Sequence, residues 1–161
     1  DNKNIFQHLR EWRNQLGYVA QKNYIEDGTI LSNIALGLSE KNINLDQIDA
    51  CVDVAQLNLF TKDLDKGLKT KVGERGIQLS DGQRKRIAIA RALYSNPQIL
   101  FLDEATNSLD KDTEKEFLKI IKSLKGKKTV IIISHDLNLL EDCDRIFNIY
   151  NNNLELYKIK S

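Results

Sequence analysis

Methionine is absent from all 161 residues, position 1 included, as expected of a chain cut from a longer protein. Only two cysteines occur, Cys51 and Cys143, far apart and without metal-ligand spacing, so both read as ordinary reduced residues. An excess of one charge is also lacking. The 24 Lys and Arg nearly cancel the 23 Asp and Glu, and no global basic field points to nucleic acid or anionic lipid. No apolar run approaches membrane-spanning length, the N-terminus has nothing like a signal peptide, and no internal repeat is present. What remains is one globular α/β domain of cytosolic type, long enough to bury a single sizeable core.

The apolar pattern fills in that class. Gly17-Tyr18-Val19-Ala20 is a short β-prone run ending at Gln21. From about residue 28 to 91 the spacing is helical, with Ile30, Ile34 and Leu38, then Ile48, Val52 and Leu57, then the segment after Ser80. Ile99-Leu100-Phe101-Leu102 and Thr129-Val130-Ile131-Ile132-Ile133 are unbroken apolar runs with a helix between them, in which Phe117, Ile121 and Leu124 share a face. Such runs predict parallel strands buried on both faces. Residues 146–150 and 154–159 predict two late strands joined by the Asn151-Asn152-Asn153 turn.

Polar residues cluster at the ends of these elements. Ser80 followed three positions later by Gln83 is a capping box, so a helix should start there and run through Arg86, Ile89, Ala90 and Leu93. Gly82 keeps bulk out of its first turn, and exposed amides beside a Ser hydroxyl make an anion site. A capping box alone marks only a well-capped helix. Here it lies between Val72-Gly73-Glu74-Arg75-Gly76 and Ala90-Arg91-Ala92-Leu93.

The Ile99 strand ends in two adjacent carboxylates, Asp103 and Glu104, at the strand edge where open α/β sheets bind ligands. Adjacent strand residues point to opposite sides, so one can hold Mg²⁺, generally through water, while the other orients and deprotonates a water. Ala105-Thr106-Asn107-Ser108-Leu109-Asp110 follows directly. His135 follows the second apolar run at the same strand edge; a lone His is more often a surface or satisfied core residue.

In order and spacing these segments resemble the nucleotide-binding domain of ATP-binding-cassette (ABC) transporters of exporter type. The likeness covers the chain from residue 5 to about 150. Leu79-Ser80-Asp81-Gly82-Gln83 is similar to the family signature, the Asp103 strand to Walker B, residues 105–110 to the D-loop, His135 to the switch histidine, and Gln21 to the Q-loop. The resemblance implies an α/β fold of the P-loop NTPase (RecA-like) kind. Its parallel sheet core would carry a helical signature subdomain at about 28–91, residues 1–27 and 92–161 would belong to the ATPase core, and the N-terminal part would be missing.

The family's chemistry would follow residue by residue, with ATP and Mg²⁺ as cofactors. Glu104 would be the catalytic base and His135 the γ-phosphate contact. Asp103 and Gln21 would serve the Mg²⁺, Gln21 also relaying to a transmembrane partner. Ser80, Gly82 and Gln83 would clasp the γ-phosphate of ATP held by a second nucleotide-binding domain in a head-to-tail dimer, and Ser108 and Asp110 would pass contacts between the subunits. The resemblance further implies a transmembrane domain fused upstream, docked through residues between 22 and 34, and a place on the cytoplasmic face of the plasma membrane. Nucleic acid is not among the implied partners.

Two features depart from the family pattern. No Gly-x-x-x-x-Gly-Lys-Ser/Thr phosphate loop occurs in the chain, so the Walker A segment is expected upstream of Asp1, and the 161 residues alone are expected to be inactive. Asp81 replaces the first of two usual glycines. It either complements the helix dipole or disfavours a triphosphate nearby. Two alternatives to an exporter ATPase stay open. One is a soluble ABC-type ATPase of DNA repair or chromosome structure, although no sustained heptads separate Gln21 from Leu79. The other is a degenerate cassette that binds a partner without hydrolysis.

Overall fold

A computed structural model describes residues 4–74, 76–106 and 109–159. In chain order these form α1 (Leu9–Arg13), β1 (Leu16–Val19), β2 (Gly28–Thr29), α2 (Ile30–Ile34), α3 (Leu45–Val54), α4 (Asn58–Thr61), β3 (Lys71–Val72) and α5 (Asp81–Tyr94). Then come β4 (Ile99–Asp103), α6 (Lys111–Leu124), β5 (Thr129–Ile133), α7 (Leu137–Leu140), β6 (Arg145–Tyr150) and β7 (Asn153–Ile159).

The centre is a parallel sheet in the order β1-β4-β5. Leu16 pairs with Ile99 and Val19 with Leu102, while Ile99 pairs with Thr129 and Asp103 with Ile133. All three strands therefore run their C-terminal ends to one edge. Alternation places Gly17, Val19, Leu100 and Leu102 on one face, where they are buried together with Ile87, Ile89, Phe117, Ile120 and Leu124 of α5 and α6. Each fully buried Ile or Leu stabilises by roughly 1.5–3 kcal/mol. Gly17 lets α5 approach closely, since a Cβ there would lie 2.5 Å from the Ala92 carbonyl oxygen.

The opposite face corrects the expectation of two-sided burial. Tyr18, Ile131 and Ile133 are exposed on it, and β5 alternates between exposed and half-buried positions. The apolar runs do build parallel strands, but the helices of the described residues that pack on the sheet cover only one of its faces.

The stretch from 28 to 91 is built mainly of short helices, α2 to α4 and most of α5, with loops and the strands β2 and β3 between them. Gly28 and Thr29 pair antiparallel with Val72 and Lys71, so its two ends are tied by a small β-ladder. Leu38, expected on the helical face, is exposed because α2 stops at Ile34 and the chain turns through Gly37 at φ +82°. Ile30, Ile34, Ile48, Val52 and Leu57 are buried as their spacing predicts. The late strands β6 and β7 form an antiparallel hairpin. Asn151 and Asn152 both take positive φ (48° and 61°), the backbone a two-residue turn of matching twist needs.

Candidate active site

The C-terminal edge of β1-β4-β5 gathers the polar residues. Asp103 is the last residue of β4, and Glu104 follows at φ +44°, a left-handed conformation uncommon outside glycine. The Glu104 backbone N–H still donates to the Ile133 carbonyl at 2.9 Å, so the kink does not release it from β5. It turns the two carboxylates to different partners. The Tyr18 hydroxyl donates to Asp103 Oδ2 at 2.7 Å. Gln21 Nε2 donates to Glu104 Oε2 at 2.6 Å, and His135 Nε2 lies 3.1 Å from Glu104 Oε1.

Three sequence-predicted residues from three strand ends thus meet at one carboxylate. Glu104 is mostly covered (side chain 20% exposed), whereas His135 is open to solvent (91%). Ser134 Oγ accepts from the Asp136 N–H at 3.0 Å, which shapes the turn that presents the imidazole. Among the described residues no group of three or more His, Cys, Asp or Glu gathers as a metal cage.

The second group sits at the start of α5. Ser80 Oγ accepts from the Gln83 N–H at 3.2 Å and Gln83 Oε1 from the Ser80 N–H at 3.0 Å, the reciprocal box the sequence predicts. Asp81 lies 3.3 Å from Arg84 Nε, one turn on, with most of its side chain in water. Gly82 has a packing role beyond openness: a Cβ there would fall 2.7 Å from Thr113 Cγ2 of α6. Asp110 caps α6, accepting from the Asp112 and Thr113 amides at 3.1 and 3.0 Å and from Thr113 Oγ1 at 2.6 Å. The Thr113 hydroxyl and amides hold the Asp110 carboxyl below the usual aspartate range. Gly82 and the Asp110 cap therefore meet across Thr113. Ser108 lies outside the described residues. No described hydrogen bond or ion pair joins Ser80 or Gln83 to Glu104 or His135.

Several supporting residues were not singled out from sequence. Tyr18 is one; it precedes the expected Q-loop residue by three and shares the exposed sheet face with Asp103. Lys85 is another, buried on α5, with Nζ donating to the Ala20 and Gln21 carbonyls at 3.4 and 3.2 Å. Arg86, also buried, ties the Ala55 carbonyl and Gln56 to Glu116 of α6. A legible signal existed for Lys85: it precedes Ile89 by four, on the apolar face of the helix.

The fold and this edge define a nucleotide-binding domain, and comparison with known proteins gives its family. The chain belongs to the ABC transporter family, whose match spans residues 1–107. It is 42% identical over 141 residues to a multidrug resistance ABC transporter ATP-binding and permease protein of Lactococcus lactis subsp. cremoris, covering 88% of this chain and 24% of that protein. Over 139 residues it is 39% identical to an ATP-dependent lipid A-core flippase of Cupriavidus pinatubonensis, covering 86% of this chain and 24% of that one. The structure of a bacterial Atm1-family ABC exporter with ATP bound superposes with a TM-score of 0.75 at 38% identity, covering 88% of this chain and 24% of the exporter chain. The chain thus spans about a quarter of the length of these relatives.

Proposed function

We propose that this chain is the ATP-hydrolysing part of an ABC exporter, and that hydrolysis is carried out at Glu104. The convergence of Gln21 and His135 on that carboxylate is the observation that carries the reading. A carboxylate held by the Gln21 amide, with the His135 imidazole beside it and largely screened from water, is placed to accept a proton from a water aligned beside it. Gln21 orients that water, and His135, exposed at the edge, reports the γ-phosphate. Asp103 and Gln21 offer a carboxylate and an amide oxygen, hard ligands few enough to suit Mg²⁺, which usually retains water and phosphate oxygens. When bound, Mg²⁺ neutralises charge on the triphosphate. Most phosphate affinity would come from a Walker A loop, which these 161 residues do not contain.

Ser80, Gly82 and Gln83 begin a well-capped helix, and its amides suit the γ-phosphate of ATP on a second nucleotide-binding domain. The unit is a head-to-tail dimer in which each site is completed by the partner, with Ser108 and Asp110 between the two. Residues 28–91 then form the helical subdomain, and 1–27 with 92–161 belong to the ATPase core. Among the described residues no helix is long and apolar enough to cross a membrane. Attachment to the cytoplasmic face would come through a transmembrane partner, docked at a groove lined by Asn23, Tyr24, Ile25, Glu74 and Ile77. The names of the relatives, a multidrug transporter and a lipid flippase among them, support export while leaving the cargo open.

Phosphate release from Mg-ATP by the full-length protein tests the reading. Wild type is expected to hydrolyse, and His135→Ala to lose most turnover while still binding ATP. A wild type that binds ATP but releases no phosphate would contradict it.

A further inference from the structure

Helix α5 grips the Q-loop with two cations, Lys85, which is buried, and Arg91, which is half-buried. Lys85 is only 5% exposed, and its Nζ donates to the carbonyls of Gln21 (3.2 Å) and Ala20 (3.4 Å). Six residues on, about 9 Å along the helix, Arg91 Nη1 donates to the Tyr24 carbonyl at 3.0 Å and Nε to the Asn33 carbonyl at 2.7 Å. Asn33, fully buried, in turn accepts from the Glu26 N–H and donates to its carbonyl, both at 2.9 Å. The segment from Ala20 to Glu26 is therefore fastened at both ends to, or through, one rigid helix.

Lys85 is the unexpected member. Burial pushes its ammonium below the usual lysine range, and the Asp81 carboxylate on the same helix only partly offsets this. A buried cation facing carbonyl dipoles is a costly way to fill space, which an apolar side chain of equal length would fill without the desolvation penalty. What the ammonium adds is position. It holds the main chain of the very residue whose side-chain amide reaches Glu104 at 2.6 Å. It also stands two residues after Gln83, so it ties the first turns of the signature helix to the backbone of that cluster.

We propose that Lys85 is a positioning residue for hydrolysis: it fixes the backbone at Ala20 and Gln21 to the first turns of α5, so that the Gln21–Glu104 contact is set by where the signature helix stands. The inference rests on the ATPase reading. It makes Lys85 the link by which a displacement of Ser80 and Gln83, on docking against a partner's ATP, is felt at Gln21.

A double-mutant cycle in the full-length protein separates this from simple packing, with kcat and KM for Mg-ATP and the unfolding midpoint measured for each variant. Lys85→Met is expected to lower kcat roughly tenfold, the scale of a lost charge-assisted hydrogen bond, with KM within about twofold. Lys85→Arg, which keeps a donor within reach, should recover most of the loss. In a Gln21→Ala background Lys85→Met should do nothing further, because the two act through one contact. Should Lys85→Met not fold, Lys85→Gln carries the same cycle. Unchanged kcat in the single variant, or losses that multiply in the double variant, would overturn the proposal while leaving the ATPase reading intact. An inactive wild type, or a Glu104→Gln protein as active as wild type, would instead overturn the ATPase reading.

Discussion

The side-chain amide of Gln21 donates to Glu104 Oε2 at 2.6 Å across 83 residues of sequence. Parallel pairing makes this contact possible. Val19 and Leu102 are register partners, so the residues that follow β1 and β4 emerge side by side. His135 reaches the other oxygen of the same carboxylate from the end of β5, the third strand. One carboxylate is thereby fixed from both sides by residues the sheet delivers, and the left-handed backbone at Glu104 turns it away from Asp103. The two adjacent acids therefore meet different partners, Asp103 the Tyr18 hydroxyl and Glu104 the Gln21 amide.

Tyr18→Phe tests whether Asp103 is held for a metal. The phenol donates to Asp103 Oδ2, and that hydrogen bond, more than its slight desolvation or the nearby charge, raises the tyrosine above its ordinary range. It therefore stays a protonated donor through neutral and mildly alkaline pH. Losing a hydrogen bond that orients a ligating carboxylate weakens its hold on the metal. The Mg²⁺ concentration for half-maximal hydrolysis should rise several-fold, with turnover at saturating Mg²⁺ changed by less than about twofold. An unaltered Mg²⁺ dependence would count against this role.

The two cysteines should react very differently. Burial pushes the Cys51 thiol up to about 12, so at pH 8 only about one molecule in 10⁴ carries the thiolate that attacks an alkylating reagent. Cys143 is half-buried. Iodoacetamide applied to the native protein, followed by peptide mass spectrometry, should modify Cys143 first and Cys51 only after denaturation. Equal labelling would mean that the α3–α5 core opens readily.

Local features were the most legible from sequence. The capping box at Ser80 and Gln83 and the late turn depend on neighbours within three residues; the box forms as read, and the turn forms one residue shorter, with Asn153 already paired to Tyr150. Strong apolar runs gave β4 and β5, and the family resemblance pointed to Gln21, Glu104 and His135 before any geometry. Long-range pairing was not legible. The ladder between Gly28–Thr29 and Lys71–Val72 is two residues long on each side and carries no periodic signal. Lys85 is satisfied by carbonyls 64 and 65 residues away, and carbonyls leave no trace in residue identity. Asp81 could be read two ways; its side chain lies beside Arg84 on the helix surface, as a residue complementing the first turn would.

Glu104→Gln tests whether Glu104 is the base. The amide still hydrogen-bonds water but cannot take its proton. Turnover of the full-length protein under saturating Mg-ATP should fall by on the order of 10²–10⁴, while ATP binding persists and an ATP-bound dimer accumulates. Turnover within a few-fold of wild type would mean that Glu104 is not the base.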